Sequence, residues 1–473
     1  MESERWSSGL GFLLASIGAA VGLGNIWRFS AVLGANGGGA YLVPYLLAAF
    51  ALAVPMLVLE LTVGRTLRSD VVSAFRSVDA DYTALGWLVV GGVLLILSYY
   101  LVLTGWVFGF LLSWLGGSRT TFTTFTEGWL PVGYFVVVTV LTGAIVARGV
   151  RSGIERLSTV VMPTVFALLV ALAVYAVTLS GWDRAVGFLF TPDFAVLTDP
   201  GLWSAAFGQV FFSLSVGQGI MLTYGSYADA DADLFRSSLL ITVSDIAAAL
   251  LAGLVIFPIV FTFGLQPTLG TELAFTTLPA AFASMGVGHV VAVAFFGLLF
   301  FAALSSSVAL LEVGVAAATN TTRLDRTRAT LLLTGGVFLA GVPSALSYSP
   351  LDLAVAGTPV LDLVDESVGT YALPVSAVLI AVVFVWVADL DPVRAELGRL
   401  YPLVRYVIPP VLVVVTGAKA VGVARPVWRL LLDGTRDESL ALVVTVVALA
   451  ALGAVGWVLR SRLPYPRRRR RRG

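Results

Sequence analysis

The stretch Ala20-Val-Gly-Leu-Gly-Asn-Ile-Trp-Arg28 lies inside an apolar segment that runs from about Leu10 to Leu33. Such a segment can cross a bilayer, which takes about 20 apolar residues in a helix. Because lipid offers no hydrogen-bond partner, a spanning helix must pair its own amides and carbonyls. Gly22, Gly24 and Asn25 therefore indicate a break that lines a cavity, where freed amides face anions and freed carbonyls face cations. A glycine-rich helix-packing surface is the alternative interpretation.

The composition is that of a polytopic membrane protein. Of the 473 residues, 58% are apolar and only 12% are charged, whereas soluble domains carry about 25% charged residues. The mean hydropathy is +0.95. The net charge of +1 argues against a nucleic-acid partner, and the lack of cysteine excludes disulfide and thiolate chemistry. We expect no cleavable signal peptide, because the first apolar segment is too long and too polar at its centre.

Twelve apolar segments are each long enough to span a bilayer. Numbered in chain order, segments 1 to 12 lie near residues 9–33, 40–63, 85–113, 131–148, 158–180, 203–227, 238–264, 289–318, 329–347, 368–388, 403–423 and 440–459. A shorter apolar stretch, Ala274 to Gly286, is predicted to form a hairpin or re-entrant element in an outer loop. No hydrophilic stretch is long enough for a soluble domain.

Arginine placement predicts the orientation, because cytoplasmic loops carry the excess of basic residues. The arginines that follow segments 2, 4, 8 and 10 are Arg65, Arg68, Arg76, Arg148, Arg151, Arg156, Arg323, Arg326, Arg328, Arg394 and Arg399. Both termini are therefore predicted to be cytoplasmic, with the run Arg467 to Arg472 as an anchor beside anionic lipid. Two loops depart from this pattern: the loop after segment 11, with Arg425, Arg429 and Arg436, and the acidic loop 228–236.

Segment 6 contains a second polar, glycine-interrupted break, Ser213-Leu-Ser-Val-Gly-Gln-Gly219. Two interrupted helices at corresponding positions of two halves are the best sequence indication of a transport site. Segments 1 and 6 lie five helices apart, and an odd number of helices per half gives the halves opposite topology. We therefore predict an all-α fold of twelve transmembrane helices, with inverted repeats at 9–180 and 203–388. The transport core is residues 1–390, and residues 391–473 form peripheral helices 11 and 12 with the Arg-rich tail.

Motifs in five helices resemble those of one known family. They are Gly18-Ala-Ala-Val-Gly-Leu-Gly-Asn-Ile-Trp-Arg28-Phe29, Asn36-Gly-Gly-Gly-Ala-Tyr-Leu-Val-Pro44-Tyr45, Tyr99-Tyr100, Gly208-Gln-Val-Phe-Phe-Ser-Leu-Ser215, Thr223-Tyr-Gly-Ser-Tyr227 and Leu304-Ser-Ser-Ser307. Over roughly residues 4–390 the chain resembles the neurotransmitter:sodium symporters, which have the leucine-transporter fold, and within them the prokaryotic amino acid symporters.

The resemblance implies two sodium sites built from oxygen ligands, which hard cations prefer. The first would use the Ala20 carbonyl, Asn25, Ser213 and Asp245, together with the substrate carboxylate. The second would use the carbonyls of Gly18, Val21 and Ala302 and the hydroxyls of Ser305 and Ser306. An aspartate at membrane depth is a functional candidate by default, although Asp245 could instead cap a displaced helix end. The serines of segment 8 could likewise be backbone-bonded packing residues.

Chloride is not expected as an ion partner. Chloride-dependent relatives hold the anion with residues that match Tyr45, Gln209, Ser213 and Ala249. An alanine at position 249 cannot help to hold an anion, and Asp245 places a fixed negative charge nearby.

The resemblance also implies the substrate site, at Ala20, Gly22, Leu23, Gly24, Ile96, Tyr100, Phe212, Ser213, Ser215, Gln218, Ser306 and Leu310. The amides of Leu23 and Gly24 and the Tyr100 hydroxyl would bind a carboxylate, assisted by the half-helix dipole. Monoamine carriers hold an aspartate where this chain has Gly22, so the substrate must bring its own carboxylate. An amino acid fits this requirement and a monoamine does not. Gln218 replaces an aromatic lid residue of close relatives.

Two gates are implied. Arg28 and Asp365 would pair above the substrate, although Asp365 could also be a solvated loop acid. At the inner side, relatives pair an N-terminal arginine with an aspartate near the end of helix 8. Here Arg5 is adjacent to Trp6 and the helix-8 residue is Asn320, so closure would depend on hydrogen bonds or other acids and would be either leakier or biased toward inward-open. His289, Glu60 and Glu312 are expected to be structural, with proton coupling through an acid as the alternative.

We therefore expect a sodium-coupled, chloride-independent symporter of neutral, mainly aliphatic L-amino acids that binds two sodium ions and works by alternating access. It would be a multi-pass protein of a prokaryotic cell membrane, monomer or homodimer, with no enzymatic activity and no nucleic-acid partner. A proton-coupled carrier in which Asp245 titrates, a non-transporting amino acid receptor or sensor, and, more weakly, an ion channel remain alternatives.

Overall fold

The computed structural model describes residues 4–118, 120–266, 273–355 and 357–413, with the backbone alone at 370–372. Within that part of the chain, eight helices are long and apolar enough to cross a membrane, and one bent helix pair forms a ninth span. Segment 12, most of segment 11, the arginines between them and the Arg-rich tail lie outside the described residues.

Segments 1 to 10 all form helices. Segment 1 is the pair Gly9–Ala20 and Gly24–Ala35, segment 2 is Gly38–Leu67, segment 3 is Ala80–Leu115, segment 4 is Leu130–Ala147 and segment 5 is Val150–Ala176. Segment 6 is the pair Pro200–Ser213 and Ile220–Ser226. Segment 7 is Leu234–Thr262, segment 8 is Gly288–Thr321, segment 9 is Arg326–Leu346, segment 10 is Val360–Val387, and the described start of segment 11 is Leu403–Val413. Two halves of five segments that each begin with an interrupted segment confirm the predicted fold class.

Short elements connect these segments. The connecting helices are Val71–Val78, Phe122–Thr126, Trp182–Phe190, Leu273–Ser284 and Asp391–Leu397, and strand Ala354–Val355 pairs antiparallel with Thr358–Pro359. The apolar stretch predicted as a hairpin or re-entrant element is the single short helix Leu273–Ser284, which turns directly into segment 8.

The break in segment 1 bends the two half-helices by 52°. Its freed amides find side-chain partners: Gly22 donates to Asn25 Oδ1 at 3.0 Å, and Leu23 donates to the Tyr100 hydroxyl at 3.1 Å. Every buried amide that leaves a helix needs such a partner, since an unpaired one is costly in an apolar medium. The local sequence thus supplies one cap, and segment 3 supplies the other.

The break in segment 6 depends on backbone that turns through the left-handed region. Ser215, Gly217 and Gly219 have φ of 56°, 81° and 67°, a conformation that glycine adopts without steric cost. The Gly217 amide donates to Glu60 Oε1 at 2.7 Å, which ties the break to segment 2.

Segments 3 and 8 pack along one another at the centre of the molecule, and segments 1 and 6 lie against them. Large apolar side chains such as Leu88, Val140 and Leu331 are exposed on the outer faces of segments 3, 4 and 9. An apolar outer surface of this extent is what a bilayer requires. The two breaks are consequently held inside the bundle, away from lipid.

Candidate functional site

A narrow cavity lies between the two breaks. It is lined by Ala19, Ala20, Gly22, Gly24, Ile96, Tyr100, Phe212, Ser213, Ser215, Gln218, Ser306 and Leu310. All of these except Ala19 were predicted as substrate-site residues from the sequence. Leu23 was also predicted, but it is not part of this lining. Its amide donates to the Tyr100 hydroxyl. Ala19 lies one position before Ala20, and its carbonyl accepts from Ser215 Oγ at 3.0 Å.

Because Gly22 has no side chain, a ligand can approach the backbone of the break at this position. A Cβ atom at this position would lie 2.6 Å from Ser306 Oγ and 2.7 Å from the Tyr100 hydroxyl. No residue with a side chain fits here unless both of these neighbours move. The absence of an acidic side chain at this position therefore leaves the cavity without a partner for a lone amine.

Asp245 lies at the centre of a buried oxygen cluster between segments 1, 6 and 7. Ser213 Oγ donates to its two carboxylate oxygens at 2.9 and 3.0 Å, and Asn25 Nδ2 donates to Oδ1 at 2.6 Å. The Tyr45 hydroxyl donates to Oδ2 at 3.4 Å. Asp245 is fully buried, and among the described residues no basic side chain forms an ion pair with it. A buried carboxylate without a counter-charge attracts a cation.

The donor set of this cluster fits an alkali cation. It offers the Asp245 carboxylate and carbonyl and the hydroxyls of Ser213 and Tyr45, all of them hard oxygen ligands. Asn25 directs its Nδ2 to this cluster and its Oδ1 to the Gly22 amide. Over the described ranges, no group of three or more His, Cys, Asp or Glu side chains comes together. The site thus lacks the nitrogen, sulfur and multiple carboxylate ligands that transition metals prefer.

A second, uncharged oxygen cluster joins segment 1 to segment 8. Ser306 Oγ lies 3.4 Å from the Gly18 carbonyl and 3.2 Å from the Ala302 carbonyl. Ser305 Oγ donates to the Ala302 carbonyl at 2.9 Å. The serines are therefore backbone-bonded, as the packing alternative predicted, but one of them also faces the other helix. Val21, the remaining predicted ligand, is fully buried at the end of the first half-helix.

At the end of the cavity that the arginine pattern predicts to face outward, Arg28 contacts both Asp365 and Phe212. Its Nη1 lies 3.6 Å from Asp365 Oδ1, and its guanidinium carbon lies 4.3 Å from the centroid of the Phe212 ring. Asp365 is therefore not an isolated loop acid. The pair remains partly exposed, with 28% and 34% of the two side chains accessible, so solvent reaches this closure from outside.

At the end of the molecule that the arginine pattern predicts to be cytoplasmic, Arg326, at the start of segment 9, forms a network of ion pairs. Arg326 Nη2 lies 2.5 Å from Glu312 Oε2, Arg326 Nη1 lies 3.3 Å from Glu4 Oε1, and the Tyr227 hydroxyl donates to Glu312 Oε1 at 2.8 Å. Trp6, 4% exposed, donates from Nε1 to the Tyr224 carbonyl. Arg5 and Asn320 are both exposed. Sequence reasoning identified Arg326 only as a cytoplasmic arginine, because no local pattern marks its partners.

The remaining singled-out residues have structural surroundings. Glu60 receives the Gly217 amide in the break of segment 6. Gln209 donates from Nε2 to the Gly24 carbonyl at 2.7 Å. His289 is exposed and lies beside the Trp114 ring, with 6.3 Å between the ring centroids.

Three comparisons place the chain among known proteins. A model of the sodium:neurotransmitter symporter family matches residues 3–130 and 127–401. YhdH, an uncharacterized sodium-dependent transporter of Bacillus subtilis, is 37% identical over 393 residues, covering 80% of this chain and 86% of the relative. An uncharacterized sodium-dependent transporter of Haemophilus influenzae is 31% identical over 447 residues, covering 88% and 97%. Among solved structures, MhsT in complex with L-phenylalanine has a TM-score of 0.80 and 38% identity, covering 87% of this chain and 98% of that one.

Proposed function

Since this chain belongs to the sodium:neurotransmitter symporter family, we propose that it carries neutral, mainly aliphatic L-amino acids across the membrane together with sodium, by alternating access. As a member of that family it is a multi-pass membrane transporter and not an enzyme. The proposed location is a prokaryotic cell membrane, with both termini cytoplasmic. Monomer and homodimer are both compatible with the proposal.

The observation that carries the proposal is the contact between the charged cluster and the cavity. Ser213 lines the cavity and also donates to Asp245. A substrate carboxylate at the freed amides of segment 1 would therefore lie beside a cation held by Asp245, Asn25 and the Ala20 carbonyl. Opposite charges at such short range in a low-dielectric site stabilise each other strongly. Binding of substrate and of sodium would thus be coupled, which is the requirement for symport.

We propose two sodium ions and no chloride. The serine cluster of segment 8 would hold the second ion, which joins segments 1 and 8 when the site is filled. Asp245 supplies the negative charge that a bound chloride would otherwise bring, and the apolar Ala249 offers no anion ligand.

Two observations support a neutral amino acid as the substrate: the residues that line the cavity, and the ligand in one similar solved structure. Gly22 presents no acid to an amine, and the walls include Ile96, Phe212 and Leu310. The solved structure of MhsT contains L-phenylalanine, which supports an amino acid as substrate here. Closure over the substrate would involve Arg28, Asp365 and Tyr100, while segments 1, 2, 6 and 7 move as a bundle against the rest.

The first test is thermal stabilisation of the purified protein by each of the twenty amino acids, in NaCl, in sodium gluconate and in KCl. A ligand that binds only the folded state raises the melting temperature by mass action. We expect a neutral amino acid to stabilise the protein equally in both sodium salts and not in KCl. Equal stabilisation in KCl would contradict sodium coupling.

Uptake into sealed proteoliposomes separates the remaining alternatives. Accumulation driven by an inward sodium gradient supports the symporter. Saturable binding without accumulation would indicate a receptor or sensor. Uptake that needs no sodium and rises at acidic pH would indicate the proton-coupled carrier.

A further inference from the structure

One polar side chain in the cavity has no partner. Five polar side chains line the cavity, and four of them are hydrogen-bonded: Tyr100 to the Leu23 amide, Ser213 to Asp245, Ser215 to the Ala19 carbonyl and Ser306 to the carbonyls of Gly18 and Ala302. The fifth is Gln218. Its side-chain amide makes no hydrogen bond to any described residue, although only 4% of the residue is exposed.

The backbone of the break holds Gln218 in place. Gly217 and Gly219 on either side both have positive φ. A Cβ at Gly217 would lie 2.6 Å from the Leu373 carbonyl oxygen, and a Cβ at Gly219 would lie 2.5 Å from Val71 Cγ2. The break is thus packed against segment 10 on one side and against the helix Val71–Val78 on the other. This packing holds the backbone from which the Gln218 side chain extends, while the amide itself makes no hydrogen bond to a described residue.

A glutamine amide carries two N–H donors and an acceptor oxygen. A buried polar group without a protein partner is costly unless something else pairs with it. Since Gln218 lines the cavity, that partner is the occupant of the cavity. Ile96 and Leu310 line the same cavity, so an occupant meets both an apolar wall and one free amide.

We propose that Gln218 determines specificity within the neutral amino acids. It selects side chains that run along the apolar wall as an aliphatic chain and end in an uncharged hydrogen-bonding group, a hydroxyl or a carboxamide. Among the described residues, no charged side chain lines the cavity, and an amide cannot neutralise a charge, so we expect acidic and basic amino acids to be excluded. This inference rests on the proposed function and narrows its substrate class.

The test uses pairs of amino acids of similar size that differ in the hydrogen-bonding group: threonine and valine, asparagine and leucine, glutamine and methionine. Each unlabelled amino acid is added as a competitor, and the sodium-dependent uptake of a radiolabelled substrate into proteoliposomes is measured. We expect the polar member of at least one pair to bind about tenfold tighter than its apolar partner, since an amide left unpaired discriminates against the analogue that lacks the group. In Gln218→Met, which keeps the side-chain length, this ratio should fall to about one.

The matched control is Gln266→Met, the same substitution at an exposed loop position, which should keep the wild-type ratio. The melting temperature of each variant without ligand shows whether it is folded. If Gln218→Met is not folded, Gln218→Leu is tested in its place. A wild-type protein that prefers the apolar member of every pair, or a folded Gln218 variant that keeps the polar preference, overturns the inference and leaves the proposed function intact. A wild-type protein that takes up no amino acid with sodium overturns both.

Discussion

At the scale of the residue, Asp245 shows how one buried charge affects the binding of an ion inside a membrane protein. It is fully buried, and its contacts are hydrogen bonds from Asn25, Ser213 and Tyr45. Neutral donors stabilise a carboxylate only in part, and a nearby cation contributes the larger electrostatic term in a low-dielectric site. The charge of this one residue is therefore expected to set the sodium affinity.

Replacing Asp245 by asparagine keeps the size of the side chain and removes its charge. We expect the sodium concentration needed for half-maximal stabilisation by substrate to rise by about tenfold or more, the effect of losing roughly 1.4 kcal/mol or more of ion binding. A sodium titration of the melting temperature measures this. The exposed carboxylate Asp183 provides the control, Asp183→Asn, which should leave the titration unchanged. An unchanged titration in Asp245→Asn would place the ion elsewhere.

Arg28 acts through its shape as well as its charge. Its guanidinium stacks on Phe212 and reaches Asp365, which a lysine cannot do with the same geometry. We expect Arg28→Lys to release bound substrate about 2- to 30-fold faster, the range that corresponds to a cation–π contact. Dissociation of radiolabelled substrate measures the rate. Arg184→Lys removes a similar stack, on Phe261 at 4.4 Å, away from the cavity, and should not change it. Equal rates in both variants would rule out a gating role for the stack.

At the scale of the element, the breaks of segments 1 and 6 illustrate how an interrupted helix survives in lipid. The freed amides are paired by two kinds of acceptor. Side chains cap some of them, as Asn25 caps Gly22 and Glu60 caps Gly217, and nearby carbonyls accept from others, as Phe211 accepts from the Val216 amide. Glycines at positive φ then let the chain turn without a steric penalty. A break is stable only when both the caps and the glycines are present.

Gly217→Ala tests this dependence. Alanine at a φ of 81° is strained, and its Cβ would collide with the Leu373 carbonyl oxygen. We expect a loss of at least about 1–2 kcal/mol from the backbone alone, seen as a lower melting temperature and as lost substrate binding. Gly187→Ala, in an open helical position with nothing within 4 Å of the new Cβ, should be neutral. If Gly217→Ala melts like the wild type, the break does not require this conformation.

At the scale of the whole molecule, the cavity lies between two closures of different kinds. The outer closure is a partly exposed ion pair stacked on an aromatic ring, whereas the inner closure is the Glu4, Arg326, Glu312 and Tyr227 network beneath Trp6. Arg326 connects the N-terminus to segments 8 and 9. This network ties the predicted cytoplasmic ends of these segments together, although Arg5 and Asn320 are both exposed.

Arg326→Gln should open the inner side. Glu312 would remain buried without its counter-charge, which destabilises the closed arrangement. The chain has no cysteine, so the cysteine of a Ser16→Cys variant is the one thiol that a maleimide can label. Ser16 is fully buried. It lies on the same helix face as Ala19 and Ala20, one turn closer to the N-terminus. We expect faster labelling of this cysteine by a membrane-impermeant maleimide from the inner side. Arg328→Gln, at an arginine whose side chain is 74% exposed, is the control. Equal labelling in the two variants would contradict the role of Arg326.

The sequence by itself determined the spanning segments and the two breaks, because in lipid both hydropathy and unpaired backbone are local properties that the chain must display in its own composition. The residues that line the cavity were predicted from the resemblance to a family. Resemblance to a family supplied the residues of segments 3, 7 and 8 that face the breaks. Only the tertiary structure decided that Asn25 directs its Nδ2 to Asp245 and its Oδ1 to the Gly22 amide, that the Leu23 amide donates to the Tyr100 hydroxyl, and that Arg326 forms ion pairs with Glu4 and Glu312. It also decided that the Gln218 side chain has no hydrogen-bond partner among the described residues. These features depend on which helices pack together and at what height, and no local pattern records that choice.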